Sequence, residues 1–303
     1  MPSVGSGPWQ SARVGLCDNV RSSCAAIAAN ARWVAIDAEA FAAVSPGPEP
    51  ALDPEEHLVE GPPEDVALFT LTLDSINFGS GWFPTLRKPR GLSGYRTVAR
   101  ALTEHARAAG PWPPSRLREL DAATVARTLG QDTGHELMDL YARALRDLGT
   151  FLGEGSALDL IEAADGSAEA LASQLAEGMP LFDDRGFYKR AQIVPSDLAL
   201  AGVAEFGDLD RLTIFADNLV PHVLRVDGVL RYDPALAAHI DAEELLPMGE
   251  QEREIRGCAV HACEQIAGRM GVAPRTLDAW LWNRGQQPRY KAVPRHRTRT
   301  VFY

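Results

Sequence analysis

Cysteine is scarce in this chain: Cys17, Cys24, Cys258 and Cys263 are the only four among 303 residues. None is spaced as C-x-x-C and no histidine completes a zinc-finger pattern, so no metal site is expected. In a reducing compartment the four thiols read as small buried apolar groups. Long apolar runs are missing too. No window reaches the roughly 20 residues of a membrane-spanning helix. The opening "MPSVGSGPWQSARVG" has no basic region followed by an apolar stretch, so no secretory signal and a cytoplasmic setting are expected, with no membrane partner. Positive charge is in deficit: Lys and Arg total 30 against 41 Asp and Glu, a net charge of −11. That argues against a nucleic-acid polymer as partner, because such affinity comes largely from neutralising phosphates. A single phosphate remains within reach of one or two well-placed cations. Cofactor signatures are absent as well. "GSG" at 79–81 is too short for G-x-G-x-x-G, and there is no Walker lysine, G-x-S-x-G elbow or H-E-x-x-H, so no cofactor is expected.

What is present is an ordinary globular composition, 46% hydrophobic and 23% charged, at a length with ample material for a core. The alanine-rich stretch 19–44 reads as helix. The proline-interrupted, acidic segment 45–65 reads as loop. "VALFTLTLDSINFGSGWF" fits either a strand or a buried helix. From about 114 to 178, apolar residues recur at helical spacing behind Ser or Gly starts. Helices are also expected at "PSDLALAGVAEF", "GEQEREIRGCAVHACEQIAGRM" and "PRTLDAWLWNRG", the last opened by Pro274 and closed near Gly285. The ending "PRHRTRTVFY" alternates Arg295, Arg297 and Arg299 as an extended tail would. With no repeat and no dividing linker, residues 1–303 read as one mainly α, compact domain with few short strands.

A few residues stand out against this background. In "TIFADNLVPHVL", Asp217 interrupts an apolar run, and a buried carboxylate must be paired, neutralised or used. On context alone such a group is more often structural, paired with an arginine such as Arg256 or capping a helix. Lys189 follows an aromatic pair in "GFYKRAQIV"; it suits a phosphate or, more commonly, snorkels at the surface. Asp278 and Trp282 share a helical face with Asn283 beside them, which is either a pocket for a flat heterocycle or an acid at a helix start among core tryptophans. Glu252 and Arg256 are at ion-pairing distance on a helix, and Gly257 permits close approach of another element. His57, in the acidic loop, would on its own be taken as solvated.

Six blocks, "LDSINFGSGW", "FYKRAQI", "TIFADNLVPHVL", "QEREIRGC", "LDAWLWN" and "VPRHRTRTVFY", resemble the queuosine salvage protein family in content and order, from residue 73 to residue 303. The resemblance implies a helical fold related to DNA glycosylases. It also implies hydrolysis of queuosine 5′-phosphate, a small-molecule substrate, to queuine and ribose 5-phosphate. Asp217 would then be the catalytic carboxylate, stabilising charge at C1′, orienting water or attacking covalently, and Phe215 would stack on the base. Lys189 would lie near the ribose phosphate, with the terminal arginines or His296 as alternatives. His57, Asp74, Asn77, Asp278, Trp282 and Asn283 would contact substrate. This chain has Asn283 where members often have Asp, and Ala279 where they often have Tyr; an amide still bonds a diol, whereas the tyrosine contact is lost. Two rivals follow from the same residues: a nucleic-acid base glycosylase, which the charge of −11 disfavours, and a non-catalytic nucleobase-binding protein in which Asp217 is structural.

Overall fold

The alanine-rich sequence expected to be helical over 19–44 folds as helix α1 (Leu16–Ala29) and stops there. Beyond it, strand β1 (Val34–Ile36) pairs antiparallel with β2 (Leu230–Tyr232), Val34 opposite Tyr232. Helical composition lost to a ladder whose partner lies far along the chain, which local periodicity does not foresee. The computed structural model describes residues 15–303, so the segment read for a targeting signal lies almost wholly outside the described residues.

The proline-rich segment is loop as far as Pro62. The ambiguous apolar run then resolves as helix α2 (Pro63–Ser75), continuously buried from Val66 to Ser75. A helix covered on all sides has no polar face, which explains why its period was illegible. Helix α3 (Gly94–Ala109) begins where the Ser93 hydroxyl accepts the Arg96 N–H at 3.2 Å and ends at Gly110, whose φ of 81° favours glycine. The helical stretch expected from 114 to 178 is α4 (Pro114–Leu117), α5 (Ala122–Thr128), α6 (Glu136–Leu152), α7 (Ala157–Ala163) and α8 (Ala168–Gly178). There follow α9 (Lys189–Leu200), α10 (Leu219–Val226), α11 (Pro234–Asp241), α12 (Glu250–Met270), α13 (Pro274–Arg284) and α14 (Pro288–Lys291). Residues 294–303 carry neither helix nor strand, with a bend at Val301.

The architecture is mainly α, with its apolar side chains in two large clusters. Helices α2, α3 and α5 to α9 enclose one, around Leu71, Phe78, Tyr141 and Phe182. Helix α1, the strand pair and α10 to α13 enclose the other, around Phe41, Val220, Leu224, Ile255 and Leu277. Helix α1 lies along α12 at Gly257, where a Cβ would stand 2.7 Å from the Ile27 side chain, so the close approach expected there occurs. All four cysteines are buried and unpaired. Burial pushes the thiols of Cys17, Cys24 and Cys258 up to about 12. Among the described residues no helix is long and apolar enough to cross a membrane. Side chains from both sets of helices meet around one large cavity.

Candidate active site

The cavity measures about 920 Å³, at the upper end of the roughly 300–1,000 Å³ typical of small-molecule sites. Its wall includes His57, Asn77, Lys189, Phe215, Asp217, Asp278, Trp282 and Asn283, so eight of the nine residues singled out from the sequence converge there. Asp74 does not. It is buried behind Asn77, whose amide lies 3.5 Å from its Oδ1, and it is outside the lining.

The segment carrying Asp217 is fixed from several sides. The Thr213 N–H donates to Gln192 Oε1 at 2.9 Å, the Phe215 N–H donates to Asp278 Oδ1 at 2.9 Å, and the Ala216 carbonyl accepts from Arg256 Nε at 3.0 Å. Ile214, Leu219 and Val220 enter the core beside it, leaving Asp217 half-buried and facing the cavity. Its Oδ1 accepts the Leu219 and Val220 N–H groups at 2.7 and 3.0 Å, capping α10. Its Oδ2 has no hydrogen-bond partner among the described residues. The expected structural partner, Arg256, is engaged elsewhere: it bonds Asp184 and, at 3.3 Å, Glu252, the helical ion pair expected from the sequence. The helix-capping role is therefore real but uses one oxygen, and the other is free for chemistry.

Lys189 opens α9 just after Tyr188, which is held in the left-handed region at φ 50° and ψ 41°. Its ammonium is not a surface group. It is buried and donates to the carbonyl and side-chain oxygens of Asn77 at 2.9 and 3.0 Å, leaving one N–H unused. Burial pulls its pKa to about 8, against the opposing charges of Asp217, Asp74 and Asp278. Burial, reinforced by Asp217, raises the Asp278 carboxyl well above the usual range. His57 is buried rather than solvated. Its Nδ1 lies 3.1 Å from the Asp53 carbonyl, its Nε2 lies 3.3 Å from the Tyr95 hydroxyl, and burial lowers its pKa, favouring the neutral ring. Tyr95 in turn meets Trp282 edge-on with ring centres 6.0 Å apart. Asn283 is exposed at the cavity edge, next to the space beside Ala279.

Several wall residues escaped the sequence, among them two titratable ones. Tyr95 in α3 and Asp197 in α9 sit in unremarkable helical contexts, and only packing turns them inward. Burial pushes the Asp197 carboxyl up to about 7, with Lys189 pulling the other way. The three terminal arginines separate: Arg295 and Arg297 both line the cavity, but Arg297 pairs with Glu243, Arg299 pairs with Glu136 outside the cavity, and Arg295 has no such partner among the described residues. His296 is buried, outside the lining, and its pKa falls to about 3. Among the described residues no three or more His, Cys, Asp or Glu side chains converge as a metal ion would need. The wall thus offers stacking surfaces, an acidic group of side chains with free oxygens, and an unengaged guanidinium, a set suited to a polar aromatic base on a charged sugar.

Comparison with known proteins agrees with that chemistry. A family model described as queuosine salvage protein matches residues 57–303. A protein of Sphaerobacter thermophilus is 36% identical over 91% of this chain and 94% of its own length, and one of Dictyostelium discoideum is 32% identical over 79% of each. A mouse protein is 33% identical over 55% of this chain and 58% of its own. Each of the three is named queuosine 5′-phosphate N-glycosylase/hydrolase.

Proposed function

This chain belongs to the queuosine salvage protein family, and on that premise we propose that it hydrolyses the N-glycosidic bond of queuosine 5′-phosphate, releasing queuine and ribose 5-phosphate. The observation that carries the reading is that Asp217 lines a cavity of nucleotide-accommodating size with its Oδ2 unpartnered among the described residues, while Oδ1 is locked on two backbone amides. As the C1′–N bond breaks, its electron pair leaves with the base and positive charge grows on C1′ and the ring oxygen. A carboxylate already fixed beside that charge, and screened from bulk water, stabilises it without reorganising. Water oxygen then bonds C1′, and one water proton ends on the departing base.

Queuine is a 7-deazaguanine, so the imidazole-ring nitrogen that purine-releasing enzymes protonate is a carbon. Departure must be eased by hydrogen bonds elsewhere on the base. Asp278 is suited to hold the base by its guanine-like N–H edge, because one of its oxygens accepts the Phe215 N–H and the other has no partner among the described residues. Phe215 and Trp282 offer faces for stacking, and His57 and Asn283 offer polar edges for the cyclopentene diol. Four unpaired, buried cysteines suit the cytoplasm, where queuine freed from a nucleotide is available for tRNA modification.

The test is direct. Purified protein incubated with queuosine 5′-phosphate should release free queuine and ribose 5-phosphate, resolved by chromatography. Tight binding of the nucleotide with no release would instead make this a binding protein.

A further inference from the structure

We propose that Arg295 is the phosphate subsite of the cavity, its guanidinium gripping the phosphate monoester of a bound nucleotide. The identity of that nucleotide rests on the hydrolase reading above; the anion subsite itself does not.

Arg295 is half-buried in the cavity wall, yet its side chain makes no hydrogen bond or ion pair with any described residue. The other two tail arginines and the buried Lys189 differ. Arg297, which also lines the cavity, and Arg299, on the other side of Thr298, are each neutralised by a carboxylate. Lys189 is buried and spends two of its three N–H groups on Asn77, which leaves one for a ligand. His296 is buried outside the cavity lining, and its lowered pKa leaves the ring uncharged near neutral pH. Burial pulls the Arg295 guanidinium below its ordinary range, and Asp217 is the carboxylate that acts on it across the cavity. A desolvated guanidinium without a partner is unfavourable, and an anionic ligand supplies what is missing. Phosphate fits best, because the planar fork of arginine matches two phosphate oxygens at once. The exposed Lys88 and Lys291 line the same cavity and add positive charge to a wall that also carries Asp197, Asp217 and Asp278. In the proposed binding mode C1′ lies at Asp217 and the 5′ end at Arg295.

The experiment compares kcat/KM for queuosine 5′-phosphate and for unphosphorylated queuosine in the wild type, Arg295→Gln, Arg295→Lys, Lys189→Met and Arg299→Gln, the last a tail arginine outside the cavity. Arg295→Gln should lower the value for the phosphorylated substrate about 10–100-fold, as expected for a charge-assisted contact, and leave the nucleoside unchanged. Arg295→Lys should retain part of the preference, which also guards against a folding defect in the glutamine variant. Arg299→Gln should move neither. A phosphate preference that survives Arg295→Gln and vanishes in Lys189→Met overturns the proposal, as does an equal fall for both substrates. Calorimetry with ribose 5-phosphate and with ribose reads the same site without cleavage. Binding of ribose 5-phosphate that depends on Arg295, in a protein that cleaves nothing, sinks the hydrolase reading alone. Binding indifferent to Arg295 sinks the subsite alone.

Discussion

Two groups of buried charge lie close together in this molecule and are built in opposite ways. The Arg256 guanidinium is fully engaged: Nε holds the Ala216 carbonyl, Nη1 bonds Asp184 at 3.1 Å and Glu252 at 3.3 Å, Nη2 bonds Asp184, and the group lies over the rings of Phe187 and Tyr303. Around the cavity, Asp217, Asp278 and Lys189 each use part of their hydrogen-bonding capacity on the protein and keep part back, while Arg295 uses none among the described residues. Burial of charge is therefore not the mark of the site; unspent capacity facing a cavity is. The saturated group also serves the unsaturated one. Arg256 fixes the backbone next to Asp217, and its partner Asp184 accepts the backbone N–H of Lys189 at 3.4 Å, at the start of α9.

The contrast can be broken by mutation. Asp217→Asn carries the largest expected effect, a loss of turnover on the order of 10²–10⁴, with little change in melting temperature because the amide oxygen can still cap α10. Unimpaired turnover in a destabilised protein would move Asp217 into the structural group. Arg256→Met should do the reverse, costing about 3–5 kcal/mol in urea unfolding by stranding Asp184 and Glu252; an unchanged urea midpoint would show that saturation is not structural here. Asp278→Ala should raise KM by about 10–100-fold, the worth of a charge-assisted contact to the base, and lower kcat much less than Asp217→Asn does. Indistinguishable effects of the two variants on KM and kcat would remove the division between base recognition and charge stabilisation. Asp197 gives the smallest effect and sharpens the contrast through pH. Its folded pKa of about 7 lies above the unfolded value, about 3.9 for an aspartate. The stability it contributes is therefore present below the unfolded value and lost as pH rises through 7. Thermal melts should show Asp197→Asn gaining on the wild type between pH 5 and pH 8, and a gap that closes over that range would refute the assignment.

Much of the site was legible because its residues disturb a local pattern. Asp217 breaks an apolar run, Lys189 follows an aromatic pair, and Asp278 and Trp282 share a helical face. Asp197 and Tyr95 disturb nothing, since each is an ordinary residue on an amphipathic helix until a second helix packs across it. The same limit appears in the fold. The helices between 114 and 178 carry their own periodicity, whereas residues 34–36 leave a helix-forming context for a strand partner near residue 230. Asp74 shows the converse error: its block matched, but its side chain turned behind Asn77.

The four sequestered thiols have a practical corollary. Thiolate is the form that alkylating reagents attack, and with pKa values near 12 at three of the positions the native protein should stay unlabelled while any opened molecule is tagged. Because Cys17 and Cys24 lie on α1 and Cys258 and Cys263 on α12, mass spectrometry of a brief iodoacetamide pulse would time the parting of those two helices, a clock for unfolding that requires no engineered probe.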